Sequence, residues 1–462
     1  MSSPFSPAEA ERIAREGPAY RAAMEYIYQR LNYERVSHDS YNVEDFRLAR
    51  MTRLLELLGN PQEKLRYGVA HVAGTKGKGS TSAMLASMLK AAGIRTGLFT
   101  SPHILRFEER MTVNGVEPTP AEIVALVEQL KPAVEQLVTE MPPGPTYFEV
   151  TTALAWLHFV AQRCDTAVME VGLGGRLDST NVCRPHVSII TSISRDHTRL
   201  LGDTLPLIAA EKAGIIKPGV PVITGVDQPE VLAVIEQFAN QAEAPLYRLG
   251  HEIKCEIESL VETDGLPRYR VNVETFRQRY EGLISPLPGV HQCRNLALAV
   301  TAFDCFVTGP DLPCVREGLA RLKWPLRIEQ HSARPRIIID TAHNDASMTA
   351  LCETLAPLKH RRRVLIFATS RDKDAAAMLR ILDTAFDEVL LTRYIHNPRA
   401  LPIDQLSTIA ESTLTIPWQT APDPAAAWGV ARQRINEDDL VCVTGSVFLA
   451  AEMQSVLKGA AP

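Results

Sequence analysis

The chain has 462 residues, of which 45% are hydrophobic, 22% charged and 6% aromatic. That length exceeds one compact core, since single cores stop growing near about 250–300 residues, and the composition excludes wholesale disorder, collagen-like repeats and membrane-spanning bundles. With Lys+Arg 49 against Asp+Glu 54, the net charge of −5 makes no global field for nucleic acid or an anionic bilayer, so any anionic ligand needs a local site.

The first seventeen residues carry acids and lack an apolar core, so no secretory signal is expected. No later run approaches the ~18 apolar residues of a membrane helix. The eight cysteines never stand at C-x-x-C spacing, which argues against a zinc ribbon or a redox pair and for reduced thiols in a cytoplasmic setting. No nucleic-acid or membrane partner is expected.

Apolar positions at i, i+3 and i+4 predict helices over Ala19 to Leu31 and Val43 to Leu58, the second stopped by Gly59-Asn60-Pro61. Strands are predicted at 67–73, 94–100, 166–171, 187–193 and 220–226, with helices at 79–92, 121–139, 147–163 and 204–216 between them. Residues 251–284 are polar with β-type stretches and read as an antiparallel insertion or edge. A helix from Gln292 to Phe306 closes this unit. Residues 309–327 are rich in Pro and turn signals, which places a domain boundary near 322. Beyond it, strands at 336–340, 363–369, 387–392 and 440–444 alternate with helices near 345–357, 374–385, 403–412 and 423–434. The class is α/β: two doubly wound domains, 1–321 and a smaller Rossmann-like 322–462.

The run Gly74, Thr75, Lys76, Gly77, Lys78, Gly79, Ser80, Thr81 follows an apolar strand and opens a helix. Such a turn aims backbone N–H groups and the positive end of a helix at one point, which suits polyphosphate; Lys78 reaches the terminal phosphates and Ser80 offers a hydroxyl to the accompanying magnesium. The common phosphate-loop spelling needs Gly at 72 and Ser or Thr after the Lys, where this chain has Val72 and Gly79.

That spelling resembles the ATP-dependent Mur ligases, and neighbouring residues narrow the resemblance to the folate branch, the folylpolyglutamate synthases and dihydrofolate synthases. They are Leu58 to Gln62, Thr100-Ser-Pro-His103, Phe107-Glu-Glu-Arg110, Asn114-Gly115, Thr146-Tyr-Phe-Glu149, Glu170 to Asp178, Thr180-Asn181, Asp196-His-Thr198, Glu211 to Ile215, and His291-Gln292 with Asn295. The likeness spans about residues 20 to 450. Four departures stand out: Lys76 where Asn is usual, Ser194-Arg195 before Asp196, Trp324-Pro-Leu-Arg327 for Trp-Pro-Gly-Arg, and Thr341 in the Asp-x-Ala-His-Asn motif.

The resemblance implies ATP-dependent addition of L-glutamate to a folate or dihydropteroate carboxylate through an acyl phosphate. Two anions meet in the first step, so cations are required: Lys78, one Mg²⁺ or two, and Arg327. By resemblance Ser80, Glu170 and His197 ligate the metal, and Lys212, whose counterpart is often carbamylated, orients a second ion. Asn295 faces adenine, Asp340 the ribose, and His343 lies beside the nucleotide. The pterin is expected against Thr100 to His103 and Tyr147 to Glu149, where Phe148 is either a stacking ring or core. Glutamate is expected in the second domain near Ser370 to Asp374, in a monomeric enzyme. Two other readings remain open here: a peptidoglycan-precursor ligase, and a non-ligase nucleotide-binding regulator.

Overall fold

This computed structural model describes residues 7–34, 48–309 and 312–459; residues 43–47 of the expected second helix lie outside them, and its remainder is Leu48–Leu57. The β-branched runs form a seven-stranded sheet from β1 (Val69–Ala73), β2 (Thr96–Phe99), β3 (Met111–Val113), β4 (Thr166–Glu170), β5 (Val187–Ile190), β6 (Val222–Thr224) and β7 (Leu246–Arg248). Its order is β3-β2-β4-β1-β5-β6-β7, parallel except at the β3 edge. Every residue of β1 and β4 is buried, because parallel strands flanked by crossover helices lose water from both faces.

One face carries Pro18–Tyr28, Leu48–Leu57, Pro120–Glu140 and Tyr147–Ala161, packed through residues such as Ile27, Leu54, Leu130 and Trp156. The other carries Lys78–Ala91 and Val290–Phe306, packed through Met84, Met88, Leu296 and Phe303. The expected antiparallel insertion is a separate sheet of β8 (Lys254–Thr263), β9 (Leu266–Glu274) and β10 (Arg279–Ile284), which seats Val271, Val273 and Leu283 in the second core.

The turn-rich segment after residue 309 contains a helix that composition conceals, Leu312–Ala320. Pro313 sits in its first turn, where a missing N–H costs nothing. Gly318 faces the phosphate-loop helix so closely that a Cβ there would stand 2.6 Å from Met88 Cα.

The second unit has β11 (Glu329–Ala333), β12 (Arg336–Ile339), β13 (Arg363–Phe367), β14 (Glu388–Leu391), β15 (Trp418–Thr420) and β16 (Leu440–Thr444), in the order β11-β12-β16-β13-β14-β15. Only β11 runs antiparallel to its neighbour. Four strands carry no expectation from sequence: β3, β7 and β15 have three residues each, and β11 is a largely unburied edge. A closing helix, Val447–Gly459, was likewise not anticipated; it buries Leu449, Met453 and Leu457. No described helix is long and apolar enough to cross a membrane.

Candidate active site

The turn after β1 is drawn tight by its glycines. Gly74 has φ 147°, and a Cβ there would lie 1.9 Å from Thr191 Oγ1; Gly77 has φ 84°, and its Cβ would lie 2.3 Å from Asn295 Oδ1. Left-handed backbone and close approach together demand glycine at both positions. The unusual Gly79 has a neighbour-based reason, since a Cβ there would stand 3.0 Å from Trp324 Cζ2 and 3.4 Å from Glu170 Oε2. The helix Lys78–Ala91 therefore begins with a bare turn against which Glu170 and the interdomain Trp324 close. Thr75 fastens the loop to the segment after β5: its N–H donates to Ser192 O at 2.7 Å and its hydroxyl to Ser194 O at 3.2 Å.

Over the loop lies a cavity of about 510 Å³ at the carboxyl edges of the strands, lined by both units. Among the residues expected from sequence, Gly74, Thr75, Lys76, Gly77, Lys78, Gly79, Ser80, Glu170, His197, Lys212, Asn295, Arg327, Asp340 and His343 line it. Thr81 does not; it is fully buried and its N–H is used inside the helix on Gly77 O.

Lys78 Nζ and Lys212 Nζ both donate to Gly74 O, at 3.1 and 3.0 Å. Burial and the neighbouring Lys78 push Lys212 down to about 7. Glu170 ends β4, is buried, and accepts from Ser101 N–H at 3.4 Å. Burial raises its carboxyl, with Lys78 the main opposing charge. The glycines after it make contacts: Gly172 leaves room for the Phe148 ring, and Gly175 lies against the backbone of Glu211 and Lys212.

Asp196, quoted in the motif but given no role from sequence, is a hub. Its Oδ2 accepts from Lys76 at 3.2 Å and its Oδ1 from Lys373 at 2.6 Å. Burial alone would raise this carboxyl, yet the neighbouring cations, Lys76 first and Lys373 from the other side, hold it far below the ordinary range. His343 Nδ1 donates to Thr341 O at 2.8 Å, which leaves Nε2 to accept from Lys76 Nζ at 2.7 Å. The neutral ring this requires agrees with a strongly lowered imidazole, caused first by burial and then by Lys76.

Arg327 is carried between two non-glycine residues in left-handed backbone, Leu326 at φ 56° and Ile328 at φ 52°. Their N–H groups are pinned by Glu329 Oε2 at 2.8 Å and Asp340 Oδ2 at 3.0 Å. Asp340 also accepts from Ala342 N–H at 2.7 Å, so its carboxylate braces the junction besides facing the cavity. Asn295 Nδ2 donates to Gln292 Oε1 at 2.9 Å.

A second, more apolar cavity of about 240 Å³ adjoins the first, and Ser101, Pro102, Gly172, Leu173, His197 and His343 line both. Phe148 and Met51 form part of its wall, and Ser370, Lys373 and Arg399 of the second unit also line it. Lys373 and Arg399 are committed to Asp196 and Asp372, and Asp374 caps the helix Ala375–Asp383. Behind this slot the fully buried Arg110 grips both oxygens of Glu34, donates to His103 Nδ1 at 2.7 Å and lies over the Tyr147 ring. Sequence reasoning placed none of these ion pairs.

Among the described residues no three acidic, histidine or cysteine side chains converge into a metal cage. Magnesium seldom needs one, because a carboxylate or two, a hydroxyl, phosphate oxygens and water complete its octahedron. Glu170 beside the Ser80 turn fits that donor set, whereas Lys212 as an ammonium cannot ligate a cation.

Residues 72–303 match the Mur ligase middle domain and residues 326–447 the glutamate ligase domain of Mur ligases. The chain is 37% identical over 418 residues to a Bacillus subtilis dihydrofolate synthase/folylpolyglutamate synthase, covering 89% of this chain and 95% of the relative. Its fold is similar to that of Mycobacterium tuberculosis folylpolyglutamate synthase complexed with ADP, with TM-score 0.85, 31% identity and coverage of 96% and 99%. Escherichia coli FolC in complex with DHPP and ADP follows at TM-score 0.81 and 29% identity, with coverage of 96% and 99%. With a phosphate loop, a junction arginine and an adjoining apolar slot set into two domains of this kind, the chain belongs to the folylpolyglutamate synthase/dihydrofolate synthase family of Mur ligases.

Proposed function

We propose that the chain uses ATP to join L-glutamate to the carboxylate of a folate or dihydropteroate through an acyl phosphate, releasing ADP and phosphate. The observation that carries this reading is the contiguity of the two cavities: six shared residues join the phosphate-loop cavity to a more apolar slot of about 240 Å³ walled in part by Phe148. A nucleotide switch has no need of the slot. Relatives that match 89% and 88% of this chain bear both activities in their names, and solved relatives hold ADP.

In this reading residues 1–321 bind ATP and the pteridine substrate, and 322–462 bring glutamate. Phosphoryl transfer between two anions is slow unless their charge is neutralised before they meet. Lys78, swung from the Gly74 carbonyl, takes the terminal phosphates, and Arg327 grips them from the junction. Magnesium, when bound, would be held by Glu170 and Ser80 with His197 nearby, and would spread the charge developing on the transferred group. Lys212 contributes a positive charge only while protonated; carbamylation would replace that charge with a negative one and let it orient a second ion. Asn295 and Asp340 border the adenine and ribose end, beside His343. Phe148 lies where a pterin would stack. We place the enzyme in the cytoplasm as a monomer.

The test is phosphate release from MgATP with L-glutamate, comparing dihydropteroate and tetrahydrofolate, with product masses checked for one added glutamate. Products from both substrates make the enzyme bifunctional, and a product from one fixes its step. Phosphate release with no ligation of either overturns the proposal.

A further inference from the structure

Lys76 departs from the asparagine usual at its position, and its side chain does something an asparagine is too short to do. The backbone beneath it is locked: its N–H donates to Ser192 Oγ at 3.2 Å, and its carbonyl accepts from Thr191 Oγ1 at 2.6 Å and Ser192 Oγ at 3.0 Å. From this fixed base the ammonium spans to Asp196 at 3.2 Å and, across the domain junction, to His343 Nε2 at 2.7 Å. Lys373 reaches the other oxygen of the same carboxylate from the second unit at 2.6 Å. Asp196 and Lys373 are only 11% and 13% exposed, so solvent screens this pair little. Two cations from opposite sides of the junction thus share one carboxylate.

We propose that Lys76 is a positioning residue that clasps the C-terminal unit onto the phosphate loop, directly through His343 and indirectly through Asp196 to Lys373. Phosphate binding falls to Lys78 and Arg327, while Lys76 sets the closed arrangement in which the glutamate-bearing unit meets the activated carboxylate. The part concerning glutamate rests on the ligase reading above; the clasp itself does not. Charge-assisted bonds at this depth favour the closed pair of domains; those of Lys76 to Asp196 and His343 are lost together when its ammonium is removed, which leaves Lys373 as the one cation on Asp196.

The experiment compares wild type, Lys76→Asn and Lys76→Arg in three measurements on the full chain. In ADP-bound protein, hydrogen exchange over 341–347 and 369–375 is expected to quicken about ten-fold in Lys76→Asn, with 67–73 unchanged. The KM for glutamate is expected to rise about ten-fold, the dissociation constant of ADP by calorimetry to stay within about two-fold, and Lys76→Arg to recover most of both losses. Weakened ADP binding with unchanged exchange would make Lys76 a phosphate ligand and overturn the proposal, as would no change in any measurement. Altered exchange in an enzyme whose wild type adds no glutamate would sink the ligase reading and leave the clasp standing.

Discussion

The two cavities are built in opposite ways. The phosphate side is made by backbone from one short stretch, residues 74 to 80, where glycines allow close approach and a helix N-terminus supplies the field. The apolar slot is made by side chains from segments hundreds of residues apart, from Asn32 to Phe448. Its wall is held by ion pairs that tie lining carboxylates to buried arginines: half-buried Glu34 to Arg110, and Glu149 to Arg50 at 2.8 Å. A site made of backbone is robust to its surroundings, whereas one made of distant side chains inherits the stability of everything that positions them.

The sharpest way to break this contrast is to cut a pair behind the slot. Arg50 and Glu149 side chains are 6% and 5% exposed, and Glu149 also accepts the Thr146 N–H at 2.7 Å to cap the helix that carries Phe148. Arg50→Met leaves a buried carboxylate unpaired and is expected to destabilise the protein by about 3–5 kcal/mol. Arg50→Met with Glu149→Gln, which keeps a cap acceptor, is expected to recover a large part in thermal unfolding. An Arg50→Met protein that melts like wild type would show the pair to be inconsequential.

Lys78→Met attacks the other side. Phosphate release is expected to fall about 10²–10³-fold, the cost of removing one preorganised charge from a developing anion, while the melting temperature is unchanged. A fall under ten-fold would move the γ-phosphate contact to Lys212 or Arg327.

The same contrast governs what could be read from sequence. The strand and helix alternation was legible because the buried strands of the large sheet carry continuous apolar runs and the helices a 3.6 period. The loop was legible as a local word. Four strands were not: β3, β7 and β15 have three residues each and, unlike the equally short β6, are not buried throughout, and β11 buries none of its side chains. The hub at Asp196 could not be seen, because Lys373 lies 177 residues away and nothing local marks the pairing. Leu326 and Phe148 show the limit differently, since there the residue was visible and its conformation or neighbour was not.

Leu326 holds a conformation that suits glycine, φ 56°, with a side chain that is fully buried in the second unit. Left-handed backbone costs a leucine about 1–2 kcal/mol, and deleting a buried leucine costs about 2–5 kcal/mol. Burial wins, so Leu326→Gly is expected to destabilise the protein by about 1–3 kcal/mol in denaturant unfolding despite relieving the strain. A stabilised variant would show that strain at the junction outweighs packing.

The smallest expected effect separates stacking from packing at Phe148, which touches both sides of the comparison. Its ring lies 5.9 Å from Phe99, centroid to centroid, and borders the slot, while a Cβ on Gly172 would come within 2.4 Å of its Cζ. The glycine therefore holds the ring in place as much as the ring lines the slot. If the ring stacks on a pterin, Phe148→Leu loses the aromatic part of the contact, about 0.5–1.5 kcal/mol. That loss predicts a rise of about two- to ten-fold in KM for the pteridine substrate, with KM for ATP unchanged. Gly172→Ala should do comparable harm by displacing the ring, and adding it to Phe148→Leu should do little more, since the smaller side chain leaves room for the methyl. Independent, multiplying effects of the two substitutions would mean that Gly172 acts through the backbone beside Glu170 and that Phe148 is core.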